Sequence, residues 1–273
     1  MELVTLLAVV LLLCVAIIFS PLGLGGGVLY VPIFLYLLDW EIHLALLGSL
    51  ILVWMVSLGS RLAHQQGGHA DKEWGVEGIK TALPGTIIGT VLSALLIIYL
   101  SELAIKVFSA VILAWVIYMA IGKFIRDKSG DDTEYNIPKP QGELLMKYQF
   151  ACFGAGASSG LLGIGGGALF VTTNRSLLHF NSRRSAGTSY IIESWMVPTG
   201  VLAHLFIDGS GPSLLQEIGL PMAVFMPLIV IGAAFFGAKV AINNFSLRFL
   251  TIVFIAAVSL SLLRYLLDFT GLL

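Results

Sequence analysis

G-L-G-G-G-V-L-Y-V-P, Gly23 to Pro32, returns as G-I-G-G-G-A-L-F-V-T, Gly163 to Thr172, an offset of 140 positions. The same offset aligns Ser49 with Ser189, and Leu62, Ala63 and His64 with Leu202, Ala203 and His204. One offset held this long implies a duplicated unit without insertions. Both copies lie in strongly apolar sequence. Glycine-broken hydrophobic segments at matching places in two halves point to the binding site of a membrane transporter.

The composition agrees. Of the 273 residues, 58% are hydrophobic and only 11% are charged, with mean hydropathy +0.95; a soluble domain carries about 25% charged residues. Spanning helices therefore set the fold, because lipid offers no partner to exposed backbone polar groups. The apolar runs are continuous, whereas the strands of a barrel alternate. A net charge of −1 gives no reason to expect nucleic acid. Cys14 and Cys152 sit in apolar runs and read as small buried residues, with no disulfide, metal site or cofactor implied. Residues 3–19 are apolar but lack a preceding base and a cleavage site, so they read as a retained helix rather than a signal peptide.

Apolar runs fall near 2–20, 26–38, 42–60, 78–99, 103–122, 148–162, 166–178, 185–207, 218–238 and 246–267. A crossing takes about 20 residues. The stretches 2–38 and 148–178 are therefore either single long helices with a break or hairpins turning at their glycines. Eight full spans divide Lys and Arg almost evenly between the two sides. Hairpins put every Lys and Arg on one side except Lys106 and Arg264, as short cytoplasmic loops require. Each exception has an acid four residues away, Glu102 or Asp268, for local pairing. The hairpin reading also inverts the halves, and equivalent loops do carry opposite bias. Asp39–Glu41 has no base, while its equivalent holds Arg175, Arg183 and Arg184.

The expected fold is thus an all-α polytopic membrane protein made of two inverted repeats, each of about five segments and each starting with a Gly-broken re-entrant or hairpin helix. Residues 1–123 form the first repeat, 124–146 a cytoplasmic linker and 147–273 the second repeat. Both termini lie outside. Among Trp40, Trp54, Trp74, Trp115 and Trp195 are expected anchors at the membrane interface.

The short second arms, 26–38 and 166–178, would reach only about 20 Å. Their N-termini would then start inside the membrane, one entering from each side, and meet near the midplane. A helix N-terminus presents unpaired N–H groups and positive partial charge, and glycine lets a ligand approach the backbone. Gly25, Gly26 and Gly27 with Gly165, Gly166 and Gly167 therefore form a candidate site for a small oxyanion. Close helix packing is the alternative use of the same residues. Ser49, Ser189, Thr188, Thr172, Thr173 and Asn174 are candidate polar contacts to the anion, with back-bonding to the helix as their alternative. Glu193 falls near mid-depth, about 15 Å beyond Arg183. A carboxyl there is costly to keep charged, which makes it a candidate proton carrier, or else a structural hydrogen-bond acceptor. His64 and His204, at equivalent helix ends, are candidates for proton relay or for capping. Ser158 and Ser159 are the only hint of a nucleophile, and no His–Asp pair accompanies them, so the sequence does not read as an enzyme.

These residues resemble the TauE/SafE family of sulfite exporters. The duplicated glycine motif carries the resemblance, followed by Ala45 to Ser49 and by S-A-G-T-S at Ser185 to Ser189. P-G-T-I-I-G-T at Pro84 to Thr90 and P-L-I-V-I-G-A at Pro227 to Ala233 extend it over nearly the whole chain. The second motif departs from the first, with Thr172 where Pro32 stands. The resemblance implies a secondary transporter of small sulfur-containing anions such as sulfite, thiosulfate or organosulfonates in the bacterial inner membrane. A passive anion channel of the same fold is the rival reading. The partners implied are the anion and the lipid bilayer, with room for a homo-oligomer.

Overall fold

A computed structural model describes residues 2–100, 102–126, 139–207 and 209–270. Most of the expected linker, residues 127–138, lies outside them. Among the described residues there are ten α-helices and no strand: α1 (Glu2–Phe19), α2 (Gly27–Tyr36), α3 (Ile42–Gln66), α4 (Lys72–Leu100), α5 (Glu102–Arg126), α6 (Gly142–Leu162), α7 (Gly167–Leu177), α8 (Ser182–Ile207), α9 (Ser210–Asn244) and α10 (Leu247–Thr270). By length and composition, five of these are able to cross a membrane: most of α3, α4, α8, α9 and α10. Large apolar side chains such as Leu3, Phe150, Phe206, Phe225 and Leu260 remain exposed, as hydrocarbon-facing residues must.

The two long apolar stretches are hairpins. Helix α1 ends at Phe19 and α6 at Leu162, and α2 and α7 then run back for 10 and 11 residues. At 1.5 Å per residue these short arms reach about 15 Å, half of a hydrocarbon core of about 30 Å. The turns need glycine. Gly23, Gly25 and Gly26 have φ of 77°, 67° and 90°, and Gly163, Gly165 and Gly166 have 65°, 80° and 74°. Asp39 and His179 extend the correspondence as the two non-glycine residues at positive φ among those described, and they too are repeat-equivalent.

The hairpins and their flanking helices α3 and α8 form the core. Outside them, glycines on α4 bring it against the second half of the chain. A side chain at Gly85 or Gly89 would strike the backbone of Phe153 or Ala157 on α6, and one at Gly75 or Gly78 would strike Ile191 or Ile192 on α8. Such backbone proximity is how small residues join helices in lipid. Helix α9 packs similarly on α3 at Gly59, but it is interrupted at Gly219 (φ 73°, ψ 157°), just before Pro221.

Two expectations need correcting. Cys152 is buried, but Cys14 is exposed, on the same outward face of α1 as Leu3, Leu7 and Val10. A thiol is apolar enough to need no burial in protein there. Trp74 does not mark an interface. It is buried edge-on against Tyr148, with ring centroids 4.8 Å apart, while Trp115 and Trp195 stay exposed. Lys106 also reaches an acid across the fold: its Nζ lies 3.1 Å from Asp268 Oδ2. Tyr36 donates to the same oxygen at 3.3 Å, and the Arg264 guanidinium stacks 4.2 Å from the Tyr36 ring.

Candidate anion site at the crossed hairpins

The two glycine turns pass alongside each other in direct contact. A Cβ on Gly27 would lie 2.5 Å from the carbonyl of Ile164, and one on Gly167 would lie 2.6 Å from the Gly23 oxygen. Ser49 Oγ donates to the Gly163 carbonyl at 2.6 Å, and Ser189 Oγ donates to the Gly23 carbonyl at 3.1 Å. Each serine thus belongs to one half and satisfies the turn of the other. The histidines act within their own halves. His64 Nε2 faces the Ser20 carbonyl at 3.4 Å, and His204 Nε2 faces the Gly160 carbonyl at 3.2 Å. These carbonyls lie where α1 and α6 stop, and helix ends leave such oxygens without intrahelical partners. The sequence names the serines and histidines as site residues. The fold gives all four a role in capping broken helices.

At the centre of the crossing the halves differ. Val53 on α3 and Glu193 on α8 occupy equivalent positions, and both press on the glycines. A Cβ on Gly25 would meet Glu193 Oε2 at 2.7 Å and Val53 Cγ1 at 2.8 Å. Glu193 is fully buried. Its Oε1 lies 2.6 Å from Ser189 Oγ, whose single proton is shared between this oxygen and the Gly23 carbonyl, and its Oε2 has no partner. An unpaired carboxylate oxygen against a glycine turn is costly unless a proton or a ligand joins it.

The polar residues of α7 and the start of α8 serve a different place. Asn174 accepts from the Tyr148 hydroxyl at 3.0 Å and donates to the Ser185 carbonyl at 3.0 Å, so both ends of its amide are engaged. Thr188 Oγ1 accepts from the Asp71 N–H at 3.0 Å, joining the 67–71 loop to α8. Thr172 and Thr173 lie about 7.5 Å or more along α7 from its first residue. These four residues line the end of the molecule that carries Arg175, Arg183 and Arg184, away from Val53.

A cavity of about 900 Å³ opens at the opposite, acidic end, with Asp39 and Glu217 among its lining residues. Its walls are mainly apolar, including Ala8 and Leu12 of α1, Ile51 and Leu52 of α3, and Leu214, Leu215 and Met226 of α9. The cavity does not contain the glycines themselves, but Leu52 adjoins Val53. The repeat-equivalents of Ala8, Leu12, Ile51 and Leu52 are Tyr148, Cys152, Ile191 and Ile192. Both sets are buried, apart from half-buried Ile51, but the second lies under α4, which packs on it through Trp74, Gly75 and Gly78. The cavity thus opens beside α1 and α3, while α4 closes over the equivalent surface of α6 and α8.

A family model described as sulfite exporter TauE/SafE matches residues 7–264. The chain belongs to the TauE/SafE family. No curated protein and no solved structure matches it. Membership makes it a multi-pass membrane protein of a transporter family for sulfite and related sulfur anions. In this TauE/SafE member the duplicated motif that carries the family resemblance is also the structural crossing. The signal that sequence reading missed is Val53: as the repeat-equivalent of Glu193, it singles out the carboxyl as the polar member of an otherwise apolar pair.

Proposed function

We propose that the chain is a secondary transporter, acting as an exporter of small sulfur-containing anions such as sulfite, thiosulfate or organosulfonates. The anion is held where Gly25–Gly27 and Gly165–Gly167 cross, and the two ends of the molecule open to it in turn. The observation that carries this reading is the cavity lined by Leu12 and Leu52, whose equivalents Cys152 and Ile192 lie instead against Gly78 of α4. A passive channel needs both ends open at once, so the covered equivalent surface supports a carrier. The mirrored turns, with their crossed serine bonds, support two inverted repeats, 1–123 and 147–273. Arg175, Arg183 and Arg184 at one end support a cytoplasmic face there, with linker 124–146 on it, both termini outside and the inner membrane as the location.

Glu193 supplies proton coupling. A charged carboxylate and an anion cannot share the Gly25 turn at low cost, because two unit charges about 4 Å apart repel by about 4 kcal/mol at an effective dielectric of 20. The anion therefore binds when Glu193 is protonated. Ser49, Ser189, His64 and His204 hold the crossing in shape, while Thr172, Thr173, Asn174 and Thr188 flank the route to the cytoplasmic face.

The direct test is exchange and net flux of labelled sulfite, thiosulfate and sulfoacetate in proteoliposomes, with and without a pH gradient. Saturable exchange that an imposed proton gradient drives uphill is the expected result. Current that flows without counter-substrate and does not saturate would instead make the protein a channel.

A further inference from the structure

The two glycine turns share a backbone but not their surroundings. Around the first turn stands a set of buried polar side chains. The Tyr30 ring lies against Gly26, with its hydroxyl-bearing Cζ 3.0 Å from where a Gly26 Cβ would be. Tyr190 donates to the Phe19 carbonyl at 2.9 Å, and its ring centroid lies 5.7 Å from that of His64. Its phenol oxygen faces the backbone N–H groups of Leu24 and Gly25 and lies beside Ser60. Tyr30, Ser60, Tyr190 and Glu193 are all buried completely. The Tyr30 hydroxyl, Ser60 Oγ and Glu193 Oε2 have no hydrogen-bond partner. Three unpaired polar atoms around one turn are unusual in a folded interior and call for a ligand.

At the second turn the equivalent positions are hydrocarbon or bare. Phe170 stands for Tyr30, Leu50 for Tyr190, Val53 for Glu193 and Gly200 for Ser60. Phe170 lies on Gly166 as Tyr30 lies on Gly26, with its Cε2 2.9 Å from the added Cβ position. The packing is the same in the two halves, and at these four positions only the first side carries polar groups; the second turn keeps one unpartnered buried hydroxyl, that of Ser159, four residues before Gly163.

We propose that the first turn alone binds the anion, through the hydroxyls of Tyr30 and Ser60, and that the second turn is its structural counterpart. This inference rests on the transporter reading above. The site offers neutral O–H donors, which suits a compact oxyanion bearing several oxygens and gives a halide fewer acceptor directions to satisfy. Tyr190, already bonded to Phe19, positions the turn.

The test compares the two sides. Half-saturation and maximal rate of labelled sulfite exchange are measured for Tyr30→Phe, Ser60→Ala, Phe170→Leu and Leu50→Met, each first checked for monodispersity in detergent. Tyr30→Phe and Ser60→Ala should each raise half-saturation at least about tenfold, the cost of one lost donor bond of about 1.4 kcal/mol. Their maximal rates should stay within about threefold, and chloride should compete better than it does in wild type. Phe170→Leu and Leu50→Met should leave half-saturation within about twofold. Equal effects on the two sides, or unchanged half-saturation in Tyr30→Phe and Ser60→Ala, would overturn the one-sided site while leaving transport intact. Wild-type protein that exchanges none of sulfite, thiosulfate and sulfoacetate would remove the transport reading and this site with it.

Discussion

Glu193→Gln is the substitution that separates binding from coupling. Glutamine keeps the volume, keeps an acceptor for the Ser189 hydroxyl at 2.6 Å, and places a donor where the unpartnered Oε2 now lies. It thus imitates a permanently protonated Glu193. Ionising the wild-type carboxyl beside a bound anion costs about 4 kcal/mol at about 4 Å and an effective dielectric of 20. That corresponds to nearly a thousandfold in affinity, at about 1.4 kcal/mol per factor of ten. Wild-type half-saturation should therefore rise steeply as pH increases through the titration of Glu193, whereas Glu193→Gln should hold the low value throughout. The assay is exchange of a labelled organosulfonate, whose own charge does not change over the range, in liposomes clamped to equal pH on both sides. Exchange by Glu193→Gln should remain within about threefold of wild type at the acid end, and accumulation driven by a proton gradient should vanish. The Tyr190 phenol interacts with this carboxyl, and the His64 ring lies 5.7 Å from that of Tyr190; the substitution leaves both in place. Proton-driven accumulation by Glu193→Gln, with the pH profile of the wild type, would refute the coupling argument.

Other outcomes follow from the crossing and the cavity. Gly27→Ala and Gly167→Ala each push a methyl into the backbone of the opposing turn, so each should cost about 1–3 kcal/mol, visible as a lower melting temperature in detergent, and should abolish exchange. Ser49→Ala leaves the Gly163 carbonyl unpaired and should destabilise by about 1–3 kcal/mol in the same melt, without changing the pH profile of exchange. Ser189→Ala should destabilise similarly but also shift that profile, because its hydroxyl serves Glu193 as well as Gly23. With Cys14 and Cys152 replaced by serine, Leu52→Cys and Met226→Cys should react with an impermeant thiol reagent added from outside, whereas Ile192→Cys should be protected. Equal labelling of all three would contradict the cover that α4 places over Ile192.

Much of the architecture was legible in the chain because it is written locally. Apolar length, glycine clusters and the constant offset between the two motifs report the hairpins and the short arms directly, since turns at positive φ need glycine whatever surrounds them. The expected orientation rests on charge distributed for insertion, which loops display without any knowledge of packing. The site was legible only in part. Glu193 stood out as an acid in an apolar run, but Tyr30, Ser60 and Tyr190 read as ordinary residues of membrane helices. Asn174 looked like a free polar contact, yet Tyr148 and Ser185 occupy its amide.

What the sequence by itself determined is therefore the membrane class, the duplication and the positions of the broken helices. Only the tertiary structure decided that the turns pass one another, that each serine caps the other half's turn, and that the polar groups gather on one side. Those facts depend on contacts between residues far apart in the chain, such as Ser49 with Gly163 and Tyr190 with Phe19. No periodicity along the chain encodes such pairs. They arise when the two halves bring short-range patterns that look alike into surroundings that differ, with Tyr30, Ser60, Tyr190 and Glu193 on one side and Phe170, Gly200, Leu50 and Val53 on the other.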